Sequence, residues 1–243
     1  NHTIIYGFGS VLQTALGFIL IPLYTRYYST DIYGMLALIT ICGAVASSIF
    51  SLGIAGALSR SYFDYEDLNE RKKVVSTSLY LSLIGACVQI ALAFLLKEKL
   101  SLLIFNTDVY AIHIFTILIS SAIAFLNNLF YVILRFEKKS KQVVIVNLIS
   151  LVTSVILITY FLVILKLGVM APIMGTLINQ VLLLCLLFYL TKGAYGFVYS
   201  QPELKIQLLF GIPTMLTGLG HYLLTAVDRF FINKFGTLDD VGV

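Results

Sequence analysis

Seven apolar runs, each parted from the next by a polar break, follow one another along the chain: residues 4–23, 33–58, 74–96, 112–134, 143–165, 170–190 and 206–231. A helix needs about 20 apolar residues to cross the hydrocarbon of a bilayer, and every run reaches that length. Strands are not expected, because a lipid-exposed backbone must satisfy its own hydrogen bonds and an open sheet leaves an edge unpaired. The longest polar stretch, residues 59–73, is a connector of mixed charge and too short for a soluble domain. The pattern predicts an all-α, polytopic membrane helix bundle. The first run is not a cleaved leader, since no basic segment precedes it and six further runs follow.

Composition agrees. The 243 residues are 59% hydrophobic and 12% charged, with a mean hydropathy of +0.97, whereas soluble domains carry about 25% charged residues. The 16 cations are unevenly shared between the two sets of breaks. Arg60, Arg71, Lys72, Lys73, Arg135, Lys138, Lys139, Lys141, Lys192 and Lys205 fall on one side, and Arg26, Lys97, Lys99, Lys166, Arg229 and Lys234 on the other. Cations concentrate on the cytoplasmic side of membrane proteins, so the first helix is expected to start inside. The net charge of +4 then reflects topology and contact with membrane lipids. A nucleic-acid partner is not expected, because no soluble element carries a basic face. Cys42, Cys87 and Cys185 lie inside apolar runs and are expected to be free, buried thiols. Tyr24, Tyr27, Tyr28, Tyr33, Tyr110 and Tyr195 sit where runs meet breaks, as interfacial anchors do.

One stretch recurs. Arg26-Tyr27-Tyr28-Ser29-Thr30-Asp31-Ile32-Tyr33-Gly34 follows the first run, and Lys234-Phe235-Gly236-Thr237-Leu238-Asp239-Asp240-Val241-Gly242 follows the seventh. Upstream, Gly7, Ser10, Gln13, Thr14 and Gly17 share a helical face, as do Gly211, Thr214, Thr217, Gly218 and His221. With six spans preceding the seventh, the first and seventh helices run the same way across the membrane. Parallel halves related by an axis along the membrane normal are a transporter architecture. Residues 1–203 are therefore expected to form a six-helix lobe. Residues 204–243 would be the end of a linker (centred on 195–203) and the first helix of a pseudo-symmetric second lobe.

Ile5-Tyr6-Gly7-Phe8-Gly9-Ser10 through Pro22 and Gly34, with Phe210-Gly211-Ile212-Pro213 and Asp228-Arg229-Phe230, resembles the Wzx-like oligosaccharide flippases of the polysaccharide biosynthesis family, in the MOP exporter superfamily. That resemblance implies two lobes of 12 to 14 helices in all, of which this chain would supply the first half. It also implies export of polyprenyl-diphosphate-linked oligosaccharide across a bacterial or archaeal cytoplasmic membrane for O-antigen, capsule or exopolysaccharide, alongside assembly machinery. No enzyme activity, metal or cofactor is expected, and no G-x-x-x-x-G-K-[ST] nucleotide loop is present.

A diphosphate calls for cations, and arginine's planar fork grips two phosphate oxygens at once. Arg26, Arg60, Arg135 and Arg229 are the candidates, each also an ordinary helix-end topology marker. Thr214, Gly218, His221, Thr225 and Asp228 make a polar stripe on the seventh span, with Gln13 on the matching face of the first. Asp228 and Arg229 are adjacent and cannot face the same way. Asn147, Asn179, Gln180 and Gln89 read as bonds between helices, and Gly43, Ala44, Ala46, Ser47 and Ser48 as close-approach positions. Two rivals remain. A MATE-type exporter of cationic drugs would want acidic cavity groups, which are scarce here. A membrane polysaccharide polymerase would want a long outer loop, and the longest expected one, residues 97–111, is bland.

Overall fold

The computed structural model describes residues 21–196 and 198–235, and only the backbone of a few positions near the end of the last helix. Those residues form an all-helical bundle, with no strand among them. Residues 21–27 are helical and lead into α1 (Thr30–Phe50), α2 (Ile54–Ser61), α3 (Leu68–Phe105), α4 (Ala111–Phe136), α5 (Ser140–Thr159), α6 (Met170–Thr191) and α7 (Gln201–Phe235), with α5 ending in a π turn at Tyr160–Ile164. Five segments are long and apolar enough to cross a membrane: α1, α3, α4, α5 with its π turn, and α6. They coincide with the second to sixth expected spans. The seventh span lies within α7, and the first falls outside the described residues except for positions 21–23.

The helices stop where a residue takes the left-handed conformation. Asn106 (φ 55°) closes α3, Lys138 (φ 56°) follows α4, and Lys166 (φ 52°) follows the π turn; such residues let the last carbonyls find backbone donors. Two boundaries differ from the sequence reading. α3 runs 38 residues, about 57 Å, and absorbs most of the expected loop at 97–111, leaving only residues 106–110 between α3 and α4. The hydropathy minimum at Lys97-Glu98-Lys99 marks the end of the hydrocarbon, but it does not interrupt the backbone hydrogen bonding. The second span, conversely, is not continuous. It breaks after Phe50 at Leu52 (φ 50°) and Gly53 (φ 62°), and α2 sets off from there.

That break is where α7 crosses. A Cβ on Gly53 would stand 2.2 Å from the Gly211 carbonyl oxygen, and one on Gly211 would stand 2.3 Å from that of Leu52. Backbone meets backbone here, which only glycine allows. Small residues make the same approach elsewhere: Gly85 is packed on the Phe50 carbonyl, and Gly43 faces Ile117 and Ser121. α4 is the central helix, with 67% of its apolar window buried against 22–33% for the other four spans. Around it lie one apolar cluster with Leu58, Val75, Leu129, Ile133, Leu134 and Leu187, and a second, toward the opposite membrane face, with Leu38, Ile39, Ile114, Ile117 and Ile173.

Polar groups cross-link the helices, as expected for Gln89, Asn179 and Gln180. Gln89 Nε2 donates to the Leu118 carbonyl (2.8 Å) and Ser121 Oγ (2.7 Å). Thr153 Oγ1 donates to Asn179 Oδ1 (2.6 Å). Asn127 Nδ2 donates to Gln180 Oε1 (2.7 Å). Hydrogen bonds between membrane helices average about 0.6 kcal/mol and reach about 1.7. A double-mutant cycle on Asn127→Leu and Gln180→Leu, read by unfolding in detergent, is expected to give a coupling in that range; zero coupling would mean that both partners find substitutes.

The segment entering α7 is tied down. Gly196 N–H donates to Ser76 Oγ (2.9 Å), Ser200 N–H to Thr77 Oγ1 (3.2 Å), and Ser78 Oγ to Gln207 Oε1 (2.9 Å). The hydroxyls Ser76, Thr77 and Ser78, all buried, thus receive the incoming chain. Glu203 is buried in the first turn of α7 and accepts a bond from the Tyr65 hydroxyl (2.5 Å). That bond, then burial, pushes the Tyr65 phenol from its ordinary 10.0 up to about 12. Because the folded value is raised, the stabilisation is complete below about pH 10 and disappears as pH climbs through about 12. Tyr65→Phe leaves the carboxylate without this donor and is expected to cost about 1–3 kcal/mol, seen as a lower unfolding temperature at neutral pH.

The cysteines correct one expectation. All three are free, but only Cys42 is partly enclosed, and Cys87 and Cys185 are exposed on the bundle's flank. An apolar run in a membrane bundle has a lipid-facing side as well as a packed one, so apolar neighbours in sequence do not imply burial in protein.

Candidate functional site

Two cavities lie at the α7 side of the bundle, and both reach toward the end of α7. The first, about 450 Å³, is bounded by the residue 21–27 helix, α1, α4, α6 and one side chain of α7. Tyr24, Tyr33, Thr40, Thr176 and Arg229 supply its polar groups, and Leu36, Ile41, Ile117 and Ile173 its apolar wall. Each has a local reason to be there. Tyr33 stands on the first turn of α1, and Thr40 is seven residues on, two turns later on the same face. Thr40 Oγ1 donates to the Leu36 carbonyl (2.7 Å) and Thr176 Oγ1 to that of Pro172 (2.7 Å). Both hydroxyls spend their hydrogen on the helix and leave oxygen lone pairs free. Tyr24 stacks toward Tyr28 and Tyr33, with ring centroids 5.6 and 6.4 Å away. The Tyr28 hydroxyl donates to the Gly168 carbonyl (2.8 Å), pinning this aromatic corner to the turn before α6.

Arg229 enters from α7 and is half-buried. Among the described residues no acidic side chain lines this cavity, and neither ion pair found among them, Lys73–Glu70 and Lys139–Glu137, involves Arg229. A fixed cation whose cavity lacks a counter-charge favours an anionic ligand, and the flanking phenols offer hydrogen-bond donors and flat apolar faces. Asp228, its neighbour, is exposed and lines neither cavity.

The remaining residues singled out in the sequence are not brought together. Arg60 is exposed in the last turn of α2, its guanidinium 4.9 Å from the Phe210 ring. Arg135 is exposed in the last turn of α4 and Arg26 in the 21–27 helix. Thr214 Oγ1 donates to the Gly211 carbonyl (2.8 Å) and packs at the Gly53 crossing, a packing position. His221 belongs to α7, but its side chain lies outside the described set, and Gln13 lies outside the described residues altogether. Sequence reasoning overlooked Thr40 and Thr176, which carry no local signal, and read Tyr24 and Tyr33 as interfacial anchors.

The second cavity, about 480 Å³, lies between α1, α3 and α4 and is closed on one flank by Val227 and Phe231 of α7. Its wall is hydrocarbon apart from Gln89 and the Cys42 thiol. Ile41 lines both cavities, so they stand back to back.

Among known proteins, the polysaccharide biosynthesis protein family matches residues 1–243. No curated protein matches the sequence. Several solved structures are similar, three of them as follows. An outward-facing multidrug resistance MATE family transporter of the MOP superfamily gives a TM-score of 0.73 at 19% identity, covering 93% of this chain and 52% of its own. A MOP superfamily transporter from Pyrococcus furiosus Vc1, described as having a binding pocket of reverse polarity, gives 0.67 at 20%, covering 95% and 53%. An inward-facing MATE family transporter gives 0.64 at 20%, covering 92% and 58%. The chain thus spans little more than half the length of these structures. At such identities the likeness concerns the fold.

Proposed function

The chain belongs to the polysaccharide biosynthesis protein family, and on that premise we propose that it forms the first lobe, and the first helix of the second, of an exporter for polyprenyl-diphosphate-linked oligosaccharide. Residues 1–203 make the lobe and α7 opens its partner. The face carrying Arg60, Arg71, Arg135 and Lys192 is cytoplasmic, which sets the N-terminus inside. The cargo's charged head occupies the Arg229 cavity, and assembly enzymes for the surface polysaccharide receive it outside.

The single observation that carries this reading is a half-buried arginine in a cavity without acid, flanked by Tyr24, Tyr33, Thr40 and Thr176. The MATE-type alternative is favoured by the fold neighbours. The charge of the cavity speaks against it, since a cationic drug would meet an uncompensated cation. A polymerase is disfavoured further by the short turn at 106–110 that replaces the expected outer loop.

Transport needs a driving force, and no nucleotide loop supplies one. Two negative charges moving outward across 100 mV, negative inside, gain about 4–5 kcal/mol. In proteoliposomes holding the whole protein, translocation of a fluorescent prenyl-diphosphate sugar is expected to quicken as the interior is made negative. Transport of a cationic dye in place of the anionic lipid would overturn the proposal in favour of the MATE reading.

A further inference from the structure

We propose that the apolar cavity between α1, α3 and α4 is a bore for the isoprenoid tail of the same amphiphile whose charged head sits in the Arg229 cavity. This rests on the reading of that cavity as the head-group site.

Shape makes the first argument. The bore follows α3 from Gln89 to Ile104, fifteen residues or about 22 Å. Its volume, about 480 Å³, is drawn out along one helix rather than gathered into a compact chamber, the form a chain-like ligand needs. Chemistry makes the second. The wall is apolar apart from the Cys42 thiol and Gln89, and the Gln89 amide at the deep end is turned to Leu118 and Ser121 through its nitrogen. Exposed Leu92 and Leu96, on the hydrocarbon side of Lys97-Glu98-Lys99, form the lipid-facing lip, so a tail enters sideways from the bilayer.

Juxtaposition makes the third. Val227 and Phe231 close the bore, and Arg229, between them on the same turn of α7, belongs to the head cavity. Ile41 of α1 is the shared partition. A diphosphate at Arg229 therefore places the first carbons of its tail beside the mouth of the bore. One turn of α7 divides polar from apolar, as the junction of an amphiphile does.

The test uses the whole protein, purified in detergent, and two ligands that share a diphosphate and differ in tail length, geranylgeranyl diphosphate and isopentenyl diphosphate. The longer is expected to bind tighter by on the order of tenfold to a hundredfold, because more of its hydrocarbon is buried. Ala46→Phe, which narrows the bore, is expected to collapse that ratio while isopentenyl diphosphate binds as before. Equal affinities in the parent, or an unchanged ratio in Ala46→Phe, overturn the proposal. Should neither diphosphate bind, the head-group reading fails, and the bore is judged by maleimide labelling of Cys42 in a Cys87→Ser, Cys185→Ser background. The same labelling decides if Ala46→Phe does not fold. Protection of Cys42 by geranylgeraniol supports the bore and lack of protection overturns it. Equal protection by oleic acid makes the bore a general lipid groove and overturns the isoprenoid assignment.

Discussion

Arg229→Ala is expected to weaken binding of a prenyl diphosphate about 10- to 100-fold and to slow its translocation to a similar degree. The magnitude follows from what is lost. A hydrogen bond to a charged group contributes about 1.5–3 kcal/mol, and the guanidinium has no acid in its cavity to share its charge with. Arg229→Lys keeps the charge and loses the fork, so it should recover part of the affinity. Arg60→Ala and Arg135→Ala remove exposed helix-end cations and are expected to change affinity less than threefold at moderate salt, consistent with the small contribution of solvated charges. Isothermal titration on the four variants checks the series. If Arg60 or Arg135 proved as costly as Arg229, the head-group site would lie on the other membrane face and the present assignment would fall.

Gly53→Ala is the second large effect, and it acts on the fold. The substitution forces an L side chain to hold φ near +62°, costing about 1–2 kcal/mol. It also drives a methyl against the Gly211 carbonyl at 2.2 Å, and overpacking of that kind costs about 1–3 kcal/mol. A total of roughly 3 kcal/mol is expected from these two sources, appearing as a sharply lower unfolding temperature in detergent. Gly211→Ala makes the reciprocal collision with the Leu52 carbonyl at 2.3 Å in a helical residue without the backbone term, and should cost less. Gly168→Ala, where φ is +55° and no atom lies within 4 Å of the added carbon, isolates the backbone term alone. Similar losses at Gly53 and Gly168 would show that the α7 crossing is slack, contrary to the packing described.

The correspondence between sequence and structure follows the same division. Five of the expected spans reappear as α1, α3, α4, α5 and α6, and Gln89, Gln180 and Asn179, expected to bond between helices, do so. The breaks that matter most were invisible. Leu52 and Gly53 lie within an apolar run and carry no polar warning, while Lys97-Glu98-Lys99, which looks like a loop, is helix. Among the cations, the sequence offered four arginines, with Arg60 and Arg229 ahead of Arg26 and Arg135, and of these Arg229 lines one of the two described cavities. Asp228, one residue away, is turned outward.

By itself the sequence determined the solvent, the helical class, the approximate spans and the uneven distribution of charge. These depend on residue type alone, because a bilayer demands apolar length and satisfied backbone from every segment separately. Tertiary structure decided which faces look inward. In water a buried face is marked by contrast with a polar one, but in lipid both faces of a helix are apolar. Thr40 and Tyr33 meet a cavity because of how α1 packs beside α4 and α6, and Arg229 because α7 crosses the α1–α2 break, where two glycines stand in backbone contact.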